Sequence, residues 1–153
     1  MELSSMSETS FTYDMRVHYK DTDQMGVAHH GNYISWFEIA RTEMMRSEGV
    51  AYKDMEELGL LLPVLDVHVQ YRKPAHYDDL LTITTSITSF SPARFEFSYE
   101  VRRNQEDSKG EVASELLATG TSLHMWLNKD WKPARLHKVA PDVYEMLKKK
   151  YGN

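Results

Sequence analysis

The chain has 153 residues, 41% of them hydrophobic, a formal net charge of −5 and no cysteine. That length and apolar content support one domain with a real core and exclude a largely disordered chain. The acidic balance argues against general nucleic-acid affinity, and the lack of cysteine removes disulfides, thiolate metal sites and a cysteine nucleophile.

Residues 1–10 are polar and acidic, without the apolar segment of a signal peptide. They are expected to form a disordered N-terminus, with a single domain filling 11–153. No run approaches the ~20 apolar residues of a membrane span, and a cytoplasmic location is the expectation.

Phe11, Tyr13, Met15, Val17 and Tyr19 alternate with polar residues. This is the period of a half-buried strand over 11–19. Two carboxylates, Asp21 and Asp23, follow, then Gly26, His29, His30, Gly31 and Asn32. Tyr33, Phe37, Ala40 and Met44 then recur at helical spacing, with Ile34, Trp36 and Met45 widening the apolar face. The pattern predicts a helix over 33–48, starting near 30–32 and stopped by Gly49. A short helix over 52–58 ends at Gly59.

Beyond it the chain turns β-like. Strands are predicted over 60–72, with Pro63 an irregularity, over 80–90, over 93–103 after a Ser91-Pro92 turn, and over 111–127 after a polar turn at 104–110. Gly120 marks a bulge or a close approach. Four consecutive strands joined by short turns predict an antiparallel meander. A last helix spans 140–151, with Pro141 in its first turn and Lys148, Lys149 and Lys150 as a solvated C-terminal end. Strand, long helix, four strands and helix make an α+β domain whose sheet wraps the helix.

The chemistry concentrates at 21–33. Asp-Thr-Asp by itself is ordinary turn chemistry. A calcium loop is excluded, because its twelfth position is Asn32 rather than glutamate. His29 and His30 are adjacent, expected to project apart, and make a poor metal pair. What remains is a carboxylate beside the free amides of a helix start. Those amides favour negative charge and can polarise a carbonyl, while the carboxylate activates water or attacks directly. That combination suits acyl transfer to water. Glu38 and Arg41 are spaced to pair on the helix surface, and Arg72-Lys73, Arg102-Arg103 and Arg94 are cationic candidates at strand ends.

The run from Tyr19 to Tyr33, followed by Phe37-Glu38-Ile39-Ala40-Arg41, resembles the 4-hydroxybenzoyl-CoA thioesterase-like family. It is most similar to the branch of short acyl-CoA thioesterases that includes the Tol–Pal-associated enzyme. The shared pattern is D-T-D-x-x-G-V-x-x-H-x-x-Y with E-x-A-R downstream. Tyr71-Arg72-Lys73-Pro74-Ala75 and Tyr77-Asp78-Asp79-Leu80 extend the resemblance into the strands.

The resemblance implies a hotdog fold, an antiparallel sheet wrapped around a long central helix. It implies hydrolysis of an acyl-CoA thioester to free acid and CoA, without metal or other cofactor, by a homodimer or homotetramer. By position it makes Asp23 the catalytic carboxylate, as general base or as nucleophile. The His30 amide polarises the thioester carbonyl, and Gly26 and Val27 form the loop the substrate approaches. Tyr33 is expected to line the pocket or pack in the dimer. From their charge at strand ends, Arg72-Lys73 and Arg102-Arg103, and after them Arg94, are the candidates for the CoA phosphates. The acyl carrier can be CoA or a carrier protein. Two other readings share the fold: hydration or dehydration of acyl thioesters, and acyl binding without turnover. The Pro-Gly segment of the first is missing, and the presence of Asp23 argues against the second.

Overall fold

The computed structural model describes residues 10–152. The expectation of a disordered stretch over 1–10 lies outside the described residues, Ser10 apart. Five strands form one antiparallel sheet: β1 (Phe11–Arg16), β2 (Val64–Tyr71), β3 (Leu80–Phe90), β4 (Arg94–Glu106) and β5 (Val112–Met125). The long helix α1 (Asn32–Ser47) and the short α2 (Tyr52–Glu57) lie between β1 and β2 in sequence. Two further helices, α3 (Leu136–Val139) and α4 (Pro141–Tyr151), follow the sheet. This is the α+β hotdog arrangement, a sheet curved around α1.

The strand order is β1-β3-β4-β5-β2. Only β3, β4 and β5 form a meander. The expected four-strand meander is corrected at β2, which pairs with β5 from Val64 opposite His124 to Tyr71 opposite Ala118. The reason is the partition of apolar surface. β3 and β4 bury one face and bond to each other, whereas most β2 side chains are exposed, as befits an outer strand.

Strand β4 follows the predicted alternation, with Phe95, Phe97, Tyr99 and Val101 all buried. Against them α1 buries Tyr33, Trp36, Phe37, Ala40, Met44 and Met45, each large side chain contributing about 1.5–3 kcal/mol. Phe37 stacks on Tyr99 with ring centroids 4.2 Å apart. This stacking depends on Gly120, where an added Cβ would lie 2.5 Å from Phe37 Cε2 and 2.8 Å from the His68 carbonyl oxygen. Gly120 is therefore a close approach; the register shift of the β4–β5 pair falls instead between Val101 and Arg102.

Several expectations are corrected. β1 ends at Arg16 rather than 19, because Val17 leaves the ladder to bond with Asp78 and Asp79. The Asp21 carboxylate then accepts the His18 N–H, closing a single 3-10 turn over Tyr19–Asp21. Ile34 is 42% exposed and widens no buried face. Arg41 turns inward, where its Nη1 lies 3.5 Å from the Tyr99 hydroxyl, and no Glu38–Arg41 pair forms among the described residues. The polar turn at 104–110 narrows to 107–110, since Asn104, Gln105 and Glu106 continue the β4 ladder.

Glu48, at the C-terminal end of α1, receives Lys150 Nζ at 2.5 Å and the Tyr151 hydroxyl. The lysine run is thus partly engaged rather than wholly solvated.

Candidate active site

The segment from Thr22 to Tyr33 is fixed by its own polar groups. Asp23 N–H donates to the Val27 carbonyl and Gly26 N–H to the Asp23 carbonyl, so 23–27 close on themselves. One carboxylate oxygen of Asp23 accepts the Met25 N–H at 2.8 Å. Gly26 has φ +79°, a left-handed conformation that costs a side chain dearly, and nothing lies within 4 Å of where its Cβ would stand. The loop there is open to solvent. An isolated bridge from Thr22 to Ala28 closes the loop at its base, and one from Val27 to His76 pins it to the segment before β3. Asp21 builds the turn, its carbonyl accepting from His29 N–H and from Asn32 Nδ2.

At the start of α1 the backbone donors divide. His29 N–H reaches Asp21, Gly31 N–H reaches His29 Nδ1 at 3.0 Å, and Asn32 and Tyr33 N–H groups reach the carbonyls of His29 and His30. Among the described residues the His30 N–H has no acceptor. An exposed, unspent amide at the positive end of a sixteen-residue helix is a ready donor for a developing oxyanion. The imidazole rings of His29 and His30 stack at 4.3 Å instead of diverging.

Beside this start lies a groove of about 280 Å³ lined by Ala28, His30, Tyr33, Tyr71, Arg72, Lys73 and Pro74. Four of the residues singled out from sequence, His30, Tyr33, Arg72 and Lys73, therefore meet at one place. Asp23, Gly26 and Val27 lie outside that lining, on the loop leading to it. Tyr33 is buried, its hydroxyl accepting the Ala75 N–H, and burial pushes its phenol above the ordinary range.

The two cations differ. The Arg72 side chain is exposed, and its one hydrogen-bond partner among the described residues is Gln70, at 3.5 Å. Lys73 Nζ is held by Glu115 at 2.7 Å. Hydrogen bonds from Lys73 and then Arg103 draw the Glu115 carboxyl down to about 2. Arg103 is buried on the inward phase of β4, spanning Asp79, Glu115 and the Pro74 carbonyl. It is a strut under the groove wall and is withdrawn as a phosphate candidate. Burial works against its charge, but the bonds to Asp79 and Glu115 outweigh that and hold it firmly protonated.

Tyr71 is a groove residue that the sequence names only within the stretch extending the resemblance, with no site role. Its hydroxyl donates to the His30 carbonyl at 2.7 Å, and its ring stands edge-on to Tyr33 at 5.0 Å. The signal available in the sequence is its place next to Arg72 at a strand end. Away from the groove, toward the Val64 end of the β2–β5 pair, Tyr99, Ser122 and His124 form a buried chain of hydroxyls and imidazole, with separations of 2.6 and 2.7 Å. Among the described residues no group of three or more His, Asp or Glu side chains is placed to share a metal ion, and no helix is long and apolar enough to cross a membrane.

A family model described as the thioesterase superfamily matches residues 25–109. A Bacillus subtilis protein named putative acyl-CoA thioesterase YneP is 34% identical over 140 residues, 89% of this chain and 96% of its own. The acyl-CoA thioesterase YbgC of Haemophilus influenzae is 34% identical over 100 residues, 65% of this chain and 74% of its own. Among solved structures, a DHNA-CoA thioesterase from Staphylococcus aureus superposes with a TM-score of 0.82 at 34% identity, over 92% of this chain and 90% of that one.

Proposed function

The chain belongs to the thioesterase superfamily, and from that membership we propose that it hydrolyses acyl-CoA thioesters through Asp23 and the His30 amide. The observation that carries the site assignment is the unspent His30 N–H at the head of α1, beside a groove walled by Tyr33, Tyr71, Arg72 and Lys73. The thioester carbonyl takes that N–H. The Asp23 carboxylate either deprotonates the attacking water or adds to the carbonyl itself. In the second case the CoA thiolate leaves, a mixed anhydride forms, and water cleaves it to free acid. Arg72, unpaired with any carboxylate among the described residues, meets a CoA phosphate, and Lys73 adds its charge from its seat on Glu115. Gly26 and Val27 supply the open loop over which the substrate enters.

A cytoplasmic location and assembly as a homodimer or homotetramer go with this activity. Exposed Val64, Leu65 and Tyr71 on the outer strand β2 are apolar surface that a second copy would cover. Light scattering coupled to size exclusion measures the assembly.

Thiol release from short, medium, long and aromatic acyl-CoAs tests the activity, with Asp23→Asn beside the parent chain. The amide side chain of that variant keeps an oxygen for the Met25 N–H, so the turn survives while the charge is lost. The expected result is turnover by the parent on at least one acyl class and near-abolition in the variant. A folded Asp23→Asn variant with undiminished kcat removes Asp23 from the mechanism, and no thiol release on any class by the parent removes the activity.

A further inference from the structure

Of the three tryptophans in the chain, Trp36 and Trp126 are buried, at 3% and 0% exposure, whereas Trp131 is 67% exposed. Trp131 also has φ +61°, a left-handed backbone conformation that a bulky L-residue rarely adopts. Core packing cannot be what holds it, since most of the ring is in solvent. The turn itself does. Asn128 N–H donates to the Lys132 carbonyl at 2.8 Å and Trp131 N–H to the Asn128 carbonyl at 3.0 Å. The Asn128 side-chain oxygen accepts from both Asp130 N–H and Lys132 N–H. Four bonds on a five-residue turn fix one indole at its tip. Strain held in place by such redundancy is a mark of function.

The flanking sequence is cationic on an acidic protein. Lys129, Lys132, Arg135 and Lys138 recur every third residue, against Asp130 alone. All four are exposed, and none has an ion-pair partner among the described residues. Val139, 42% exposed, adds apolar surface beyond them. A single exposed indole on a segment of free cations matches the chemistry of a bilayer surface. The ring sits at headgroup depth and the Lys and Arg stems lie along it, with their charges on lipid phosphates.

We propose that residues 128–139 form a docking site for an anionic lipid bilayer, with Trp131 as the inserted anchor and Lys129, Lys132, Arg135 and Lys138 as headgroup contacts. The contact is peripheral and reversible, and it is independent of the thioester chemistry. Duplex nucleic acid would use the cations and leave the indole idle. An acidic protein would bury the indole in a pocket and would not distinguish a bilayer from a soluble polyanion.

The test uses the 153-residue chain with vesicles of phosphatidylcholine alone or with added phosphatidylglycerol. Sedimentation gives the partition coefficient, and tryptophan emission reports the anchor directly, because the other two indoles are already shielded. Anionic vesicles are expected to shift emission to the blue and protect one tryptophan from acrylamide. Neutral vesicles are expected to bind more weakly. Each charge neutralised in Lys129→Gln, Lys132→Gln, Arg135→Gln and Lys138→Gln is expected to lower partition about fivefold. Trp131→Gly suits the left-handed backbone, keeps the fold and is expected to lose the blue shift. No blue shift on anionic vesicles at low salt overturns the proposal. So does equal binding to neutral vesicles, unchanged partition in Trp131→Gly, or preferential binding to duplex DNA or a soluble acidic protein.

Discussion

The Tyr71 hydroxyl, at the end of the outer strand, donates a hydrogen bond of 2.7 Å to the carbonyl oxygen of His30, at the start of the long helix. One bond thus ties the groove wall to the turn that presents the free His30 amide. Tyr71→Phe keeps the ring contacts with Tyr33 and His30 and removes only the donor. We expect a folded protein whose kcat/KM on its best acyl-CoA falls by up to about tenfold, the equivalent of roughly 0.5–1.5 kcal/mol for one hydrogen bond. Unchanged turnover in the Tyr71→Phe variant would mean that the His30 turn is held without it. Losing the His30 donor itself would cost more, about 2.7–4 kcal/mol in the barrier.

Two glycines give contrasting stability predictions. At Gly120 an added methyl meets a phenyl ring and a backbone carbonyl, and the carbonyl cannot swing aside. Gly120→Ala is expected to destabilise by about 1–3 kcal/mol and to disturb the Phe37–Tyr99 stack. At Gly26 the added methyl meets nothing, and the cost is that of the left-handed backbone, roughly 1–2 kcal/mol. Urea unfolding measures both losses. Near-ultraviolet circular dichroism separates them, with a change at the aromatic stack expected for Gly120→Ala alone.

Burial, and then the nearby Arg41 charge, draw the His124 imidazole down to about 4 from 6.5. His124 is therefore neutral in the folded chain and takes up a proton on unfolding below pH 6.5. Its share of stability is whole above pH 6.5 and is lost as pH falls toward 4. Between pH 7.5 and 5 that loss amounts to about 2 kcal/mol. Urea titrations at the two pH values should show this slope in the parent and its absence in His124→Gln.

Arg103 joins three chain segments under the groove, and each partner loses its donor in Arg103→Met. Asp79 and Glu115 are partly exposed, so water takes over part of their solvation, and we expect a loss of about 2 kcal/mol rather than the full cost of a stranded buried charge. With Glu115 freed from Arg103, the Lys73 pair is the sole restraint on that side chain among the described residues, and KM for acyl-CoA is expected to change more than kcat. Steady-state thiol release separates the two.

Much of this arrangement is legible in the sequence because it rests on local patterns. The period of two in β4, the apolar stripe of α1 and the stops at Gly49 and Gly59 are each written within one element, and all stand in the fold. His30, Tyr33, Arg72 and Lys73 also meet at one groove, a gathering that no local pattern states, since the two pairs stand on different elements. What cannot be read is pairing across distance. Nothing in residues 60–72 states that β2 will pass over β3 and join β5. Arg103 reads as a free cation, although it stands on the same alternation as Phe95, Phe97, Tyr99 and Val101 and is buried with them. The inward turn of Arg41 follows from Tyr99, a partner 58 residues away. Trp131 escapes notice in the sequence, because a left-handed backbone leaves no mark in composition.

The clasp on Glu48 bears on the order of events during folding. Lys150 and Tyr151 close it from 102 and 103 residues downstream. Contacts so distant in sequence form late and slow the folding of the chains that need them. Until α4 docks on the finished sheet, the end of α1 has its packing but not its clasp. A released chain ending at residue 149 should therefore hold the groove end of the long helix more tightly than the Glu48 end, and limited proteolysis of it should open the molecule there first.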